Sequence, residues 1–298
     1  MIELRRAETD ADIEAWRRVR TAVLPNERTA SVEEMRQTQT PDKLLLLAEL
    51  DGELVGSGVA GRSDLGGGLG FLAPRVLPDA RRRGVGSALL GALGSHVAGL
   101  GFTEATAGVD DQGSLVFAER FGFREVGRQV EQVRTIRADE PVPESPTGVE
   151  IVSLAERPDL FRRTYEELAQ QAFEDIPTPA RITISAEDWE REWLTWPEGS
   201  LVALAQGEIV GCAGLLRDAN RPDRAENSLT AVRRDWRGRG LATALKQAVI
   251  AWAAANGLLE IYTWTQTGNE AMQRLNEKLG YRPRMISITV RGPIPARR

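Results

Sequence analysis

The chain has 298 residues, 42% of them hydrophobic and 27% charged, with a formal net charge of −5. This is the composition of a globular protein of one large or two ordinary domains, without an apolar run near the roughly 20 residues a membrane span needs, and its acidity argues against general nucleic-acid binding. The single cysteine, Cys212, excludes an intramolecular disulfide, and the single histidine, His96, excludes a histidine-rich metal site or a Ser-His-Asp triad in each half.

The opening MIELRRAETDADIEAWRR lacks the apolar core of a signal peptide, so a cytoplasmic protein is expected. Its IELRRA segment predicts a strand, DADIEAWRRVRTAV a helix, and SVEEMRQT a second short helix. AELDGELVGSGVAG (48–61) reads as two strands around a tight turn. Another strand ends at Val76, and an arginine-glycine turn then feeds a long amphipathic helix over 84–100. His96 shares a face of that helix with Leu89 and Leu93, so packing is its expected role. TEATAGV predicts a strand, followed by a short helix and a last strand, VEQVRTI.

RADEPVPESPTG (137–148), with three prolines, reads as an extended linker. The same order then recurs. VEIVSL, PDLFRRTYEELAQQAF, SAEDWEREWL, the hairpin ALAQGEIVGCAGLL (203–216), a strand to Val232, a helix over 240–256, LEIYTWT and MISITV follow in turn. Residues 76–109 and 232–265 align 156 apart without a gap, with Asp79/Asp235, Arg81/Arg237, Arg83/Arg239, Gly84/Gly240 and Leu89/Leu245 among the identities. A domain duplication is the economical explanation. We therefore expect a mixed α/β (α+β) sheet in each of two tandem domains, 1–137 and 149–298, joined by a linker over 138–148.

The repeated turn is the informative element. The first N–H groups of a helix have no partner within it, and the helix dipole adds positive charge there, so an anion fits that place. Gly84 and Gly240 let an anion approach the main chain, Gly86 and Ala242 are small, and Arg81, Arg83, Arg237 and Arg239 add charge. No Lys-Ser/Thr follows the glycines, which disfavours a nucleoside-triphosphate loop. A solvated, charged loop is the plain alternative.

VLPDARRRGVGSALL and VRRDWRGRGLATALK resemble the acyl-CoA pyrophosphate motif of the GNAT superfamily of N-acetyltransferases, and the segments ending LGY and FGF resemble its next motif. The resemblance spans both halves. It implies acetyl-CoA as cofactor, with contacts from Val76, Arg81, Arg82, Arg83, Gly84, Val85, Gly86 and Ser87 in the first copy. In the second copy they come from Ala231, Val232, Arg237, Gly238, Arg239, Gly240, Leu241, Ala242 and Thr243. It further implies that the strand ending at Val232 splays from the strand over 259–265, leaving a slot for the thioester, and that N–H groups near Ala231 and Val232 polarise its carbonyl.

Asn269 matches a residue that touches the cofactor in many members, or is simply a helix N-cap. The family's frequent tyrosine acid is replaced by Ala118 and Asn276, of which Asn276 retains hydrogen-bonding capacity. Glu226 is a candidate general base, or an exposed strand-end glutamate; it is expected to share a strand face with Ser228 and Thr230. The first copy offers no acid there, and Pro74 is expected to interrupt its strand.

Trp189, Trp193 and Trp196 fall on one predicted helical face, as core or as an aromatic acceptor pocket, and Glu174 and Asp175 either attract a cationic amine or sit in a solvated loop. The expected activity is acetyl transfer to a small-molecule or peptide amine, the C-terminal copy being better equipped. An acyl-CoA-binding module with little catalysis is the alternative. No nucleic acid, membrane or metal is expected, and the chain is expected to be a monomer or homodimer.

Overall fold

The computed structural model describes residues 1–63, 68–178, 182–193, 195–219 and 221–295. In chain order its first half runs β1 (Ile2–Arg6), α1 (Asp10–Val23), α2 (Val32–Gln37), β2 (Leu44–Leu50), β3 (Glu53–Arg62), β4 (Gly70–Val76), α3 (Val85–Gly99), β5 (Glu104–Val109), α4 (Gln112–Glu119) and β6 (Arg124–Thr135). The second half runs β7 (Glu150–Ser153), α5 (Leu160–Thr164), α6 (Gln170–Glu174), α7 (Ala186–Glu192), β8 (Leu201–Ala205), β9 (Glu208–Arg217), β10 (Arg224–Val232), α8 (Leu241–Ala255), β11 (Glu260–Gln266), α9 (Glu270–Lys278) and β12 (Arg282–Pro293). A π-helical turn, Tyr165–Ala169, joins α5 to α6.

The chain folds into two compact units. The N-terminal unit is Met1–Arg128 with Ser287–Arg298, and the C-terminal unit is Gln129–Ile286. In the first, β1–β2–β3–β4 is an antiparallel run, β4 and β5 pair in parallel, and residues 288–293 of β12 pair antiparallel with β5. In the second, β7–β8–β9–β10 is antiparallel, β10 and β11 pair in parallel, and residues 129–135 of β6 close the order on β11. Each unit is thus a mixed α/β sheet, as the pattern of elements indicates.

The division differs from the repeat in one respect. Each copy's last strand completes the sheet built by the other copy's residues. Each copy ends in a final strand, and the repeat alone does not say whether that strand joins β5 or β11. The proline-rich segment is also partly tied down. The Glu140 side chain is buried and accepts from Arg134 Nη2 at 2.6 Å.

Helices cover both faces of each sheet, which is why the central strands are apolar almost throughout. In β2, Leu44, Leu46, Ala48 and Leu50 face the α3–α4 core, while Leu45 and Leu47 face α1 and α2. In β8, Leu201, Ala203 and Ala205 face α8, while Val202 and Leu204 face the α5–α7 layer. Burying a Leu or Val side chain in such a layer is worth about 1.5–3 kcal/mol.

The tryptophan stripe does not form one face. The α7 helix ends at Glu192, and Trp193 is already extended, with φ −110° and ψ 148°. Trp189 and Trp193 stack in the α5–α7 core at 5.8 Å between ring centres, whereas Trp196 packs edge-on against Trp252 in the α8 core. His96 Nε2 lies 2.7 Å from the Asp42 carbonyl, and Cys212 is fully buried in β9.

Candidate active site

In each unit a strand runs through a short 3-10 turn into a long helix. The turns superpose in conformation. Arg82 and Gly84 have φ of 64° and 90°; Gly238 and Gly240 have 76° and 80°. Left-handed backbone explains the glycines directly, and a Cβ built on Gly240 meets nothing within 4 Å.

Helices α1, α2, α4, α7 and α9 are capped by the side chains of Thr9, Ser31, Asp111, Ser185 and Asn269. Helices α3 and α8 begin at Gly84 and Gly240 with no side-chain cap, leaving their first N–H groups for an outside acceptor. Val85 and Leu241 are buried and anchor each helix start. Ala242 and Thr243 are half-buried in the first turn, as is Gly86, and Ser87 is exposed.

The turn arginines are held by the chain itself. Arg81 Nε donates to the Val76 carbonyl at 3.2 Å and Arg237 Nε to the Val232 carbonyl at 3.0 Å. Arg83 reaches Asp51 at 3.3 Å, and Arg239 donates to the Asp235 carbonyl at 3.0 Å while lying over Trp236. Asp175 pairs with Arg234 at 2.6 Å and also with Arg237. Hydrogen bonds from Arg234 lead the causes that hold its carboxyl below the usual range. Asp175 therefore holds two of the arginines at the turn.

The strands leading into the turns part from their parallel neighbours. Strand β10 pairs with β11 only at Arg224/Glu260, Ala225/Ile261 and Glu226/Tyr262, although both strands continue beyond. Strand β4 pairs with β5 only at Gly70/Ala105 and Phe71/Thr106. A wedge-shaped slot opens in each unit, and Thr263 Oγ1, donating to the Asn227 carbonyl at 2.8 Å, marks the closed end of the second.

Backbone polarity in the slot follows from β9. Arg233 N–H donates to Val210, so the 233 and 231 rungs bond to β9 and the Val232 N–H points the other way, into the slot. The same reading places Val76 and Pro74 toward the first slot, because Leu77 N–H donates to Val55. This corrects the expectation that Pro74 breaks its strand. β4 runs unbroken to Val76, since the missing N–H lies on the side where β5 has already left.

Strand β10 carries a bulge that β4 lacks, between Asn227 and Thr230. It corrects a second expectation. Asn227 and Thr230 face α8, where Thr230 Oγ1 lies 3.4 Å from Asn227 Oδ1, and Leu229 and Ala231 face the α5–α7 layer. Glu226 lies opposite Asn227, so it does not share a face with Thr230. The bulge also shifts the repeat by one residue, so that Phe71, not Gly70, stands on the rung of Glu226.

The acetyltransferase (GNAT) family matches the chain twice, over residues 10–123 and 161–281. The chain belongs to the GNAT acetyltransferases. Mycothiol acetyltransferase from Paenarthrobacter aurescens is 29% identical over 237 residues, 76% of this chain and 71% of that one. Its namesake from Clavibacter michiganensis is 28% identical over 266 residues, 85% and 81% of the two chains. Among solved structures, a tandem GNAT protein from the clavulanic acid biosynthesis pathway superposes with a TM-score of 0.78 at 20% identity over 99% of both chains. A GCN5-related N-acetyltransferase from Sphaerobacter thermophilus gives 0.76 at 23% identity, over 99% and 96%. These two share the fold.

Within this GNAT chain the remaining sequence-derived residues fall as follows. Glu226 Oε2 accepts from Tyr262 at 3.1 Å. Burial first, and the Glu226 charge second, hold the Tyr262 hydroxyl well above its ordinary pKa, so it stays a donor. Asn269 caps α9, its Oδ1 accepting from Met272 N–H at 3.3 Å. Asn276 is fully buried and donates to Gln132 at 2.9 Å and to Thr265 at 3.2 Å. Tyr262, Asn227 and Lys246 escaped sequence reasoning. Lys246 had a signal, a lysine on an apolar helix face where the first copy carries Leu90.

Among the described residues, no helix is long and apolar enough to cross a membrane.

Proposed function

We propose that the chain moves an acetyl group from acetyl-CoA to a small amine, with the chemistry in the C-terminal unit. The observation that carries this is the wedge between β10 and β11, with an uncapped helix start at one end and the Glu226 carboxylate on the last rung at the other.

The residues fit the donor. The N–H groups at Gly240, Leu241 and Ala242, with Arg237 and Arg239, suit a pyrophosphate. The Val232 N–H, turned into the slot, suits a thioester carbonyl whose oxygen gains charge during attack. A bound thioester supplies an activated acyl carbon; the chain orients it and manages protons. Glu226, hydrogen-bonded by Tyr262, takes the proton shed by the attacking amine. Similarity to mycothiol acetyltransferases over most of the chain favours a small-molecule acceptor over a protein.

The N-terminal unit supports a second reading for itself. It keeps the cradle and the wedge but has Phe71 on the rung of Glu226 and Pro74 where an N–H would face the slot. We read it as a site that binds acyl-CoA without turning it over. Acetyl-CoA titrated into the wild-type protein is expected to raise Tm by preferential binding to the folded state, and a panel of primary amines is expected to yield thiol release. No thermal shift at millimolar acetyl-CoA would exclude the donor, and no amine above background would leave binding alone.

A further inference from the structure

Five positions around the second slot are polar where their counterparts in the first are apolar. Asn227, Thr230, Lys246, Asn276 and Tyr281 stand where the N-terminal unit has Leu72, Pro74, Leu90, Ala118 and Phe123. Leu72, Leu90, Ala118 and Phe123 all belong to one apolar core cluster. In the C-terminal unit Asn227, Lys246, Asn276 and Tyr281 are equally buried, at 1% exposure or less. The same layer of the same fold is greasy once and hydrogen-bonding once. Since buried polar groups cost stability unless paired, the second layer calls for a use.

Lys246 is its centre. It rises from α8, and its ammonium donates to Asn227 Oδ1. Asn227 is in turn fixed by Nδ2 donating to the Gly214 carbonyl at 2.9 Å. The Nζ lies 5.1 Å from the centre of the Tyr281 ring, and Arg134 acts on that tyrosine from β6. Burial pushes the pKa of Lys246 down to about 7. Proton exchange near neutrality is what such a lysine offers.

Position matters as much as environment. Asn227 is the first residue past the last parallel rung, so Lys246 reaches the closed end of the slot from the α8 side. Half-exposed Thr230 extends the polar path outward, its hydroxyl 3.4 Å from Asn227 Oδ1. The hydroxyl of Tyr281 and the Oδ1 of Asn276 are buried in this layer without a hydrogen-bond partner among the described residues.

The geometry points to Lys246 as the proton donor to the departing thiolate in the C-terminal unit, a task Asn276 cannot perform from the place of the family's tyrosine. This rests on the slot receiving an acyl-CoA thioester. As the amine nitrogen bonds to the acyl carbon, the carbon–sulfur bond breaks with its electron pair on sulfur. Lys246 passes an Nζ proton to that sulfur and becomes a neutral amine. The proton lost by the acceptor, taken by Glu226 and released to solvent, balances the one Lys246 regains.

The test uses the full chain and coenzyme A itself, so that no acceptor is needed. Thiolate absorbance of bound coenzyme A is followed against pH in wild type and Lys246→Leu, with desulfo-coenzyme A as the control. Leucine is the residue the N-terminal unit already accommodates there. Wild type is expected to raise the thiolate fraction at neutral pH about tenfold over the free thiol, and K246L to abolish that rise while binding the desulfo compound unchanged. Coenzyme held elsewhere cancels in the difference.

Equal thiolate fractions in the two proteins would overturn the proposal. Absence of any coenzyme binding by wild type would instead overturn the reading of the slot. Should K246L not fold, 13C-lysine spectra of wild type decide. Of three lysines, Lys43, Lys246 and Lys278, one is expected to titrate near 7 and to respond to coenzyme A but not to its desulfo form. Three ordinary lysine titrations would refute it.

Discussion

Tyr262 and Glu226 face each other across the last rung shared by β10 and β11, 3.1 Å apart, and beyond them the two strands separate. The tyrosine is fully buried and holds the carboxylate at the head of the slot. Glu226→Gln is expected to lower amine-dependent thiol release about 100-fold or more, with Tm nearly unchanged because the hydrogen bond to Tyr262 survives. An unaltered rate across pH would remove Glu226 as the base.

Gly240 is a backbone requirement before it is a binding one. At φ 80°, any side chain with a Cβ is strained, by about 1–2 kcal/mol. Gly240→Val is expected to lose that much in urea unfolding and also to abolish donor binding by the C-terminal unit. The converse applies at Arg82, a non-glycine at φ 64° where the second copy has Gly238. Arg82→Gly is expected to stabilise the protein slightly, by about 0.5–1 kcal/mol less the entropy glycine adds to the unfolded chain. A destabilised R82G would show that its side chain, not its backbone, decides the site.

Asp175 competes for the arginines an anion would use. Asp175→Asn is expected to tighten acetyl-CoA binding several-fold, most clearly at low salt. The pH sign follows from its lowered pKa. The contribution of this pair to stability is present above the unfolded carboxyl's pKa and lost as pH falls through the folded one. Isothermal titration of D175N against wild type checks the affinity, and weaker binding would mean that Asp175 positions Arg237 rather than occupying it.

Arg284 serves a buried carboxylate. Its guanidinium holds Glu131 by two hydrogen bonds, at 2.6 and 2.7 Å, and Glu260 by a third, at 2.9 Å. Glu131 is wholly buried, with Arg224 a further 3.9 Å away. Arg284→Met is expected to cost about 3 kcal/mol in denaturant unfolding, because it leaves a buried charge short of its partner. A change below about 0.5 kcal/mol would show that Arg224 suffices.

The turn, the long helices and the two-copy order were legible because each is local: glycines at left-handed positions, and apolar residues at helical spacing. The carboxylate was legible as a residue but not as a neighbour. Neither Tyr262, 36 residues on, nor the bulge that turns Thr230 away from Glu226 has a signature within its own segment. Pro74 misled because proline's missing N–H matters only when a partner strand is there to use it. The strand exchange was invisible because the repeat places a final strand after each copy without saying which sheet that strand joins.

That exchange sets a timetable for synthesis. The sheet of the N-terminal unit is closed by residues 288–293 on β5, so it is incomplete until those residues have left the ribosome. The N-terminal unit cannot complete its sheet first, although all but one of its strands are made early. The C-terminal unit, by contrast, can pair β6 through β11 once β11 emerges, and of its strands then lacks only residues 282–286 of β12.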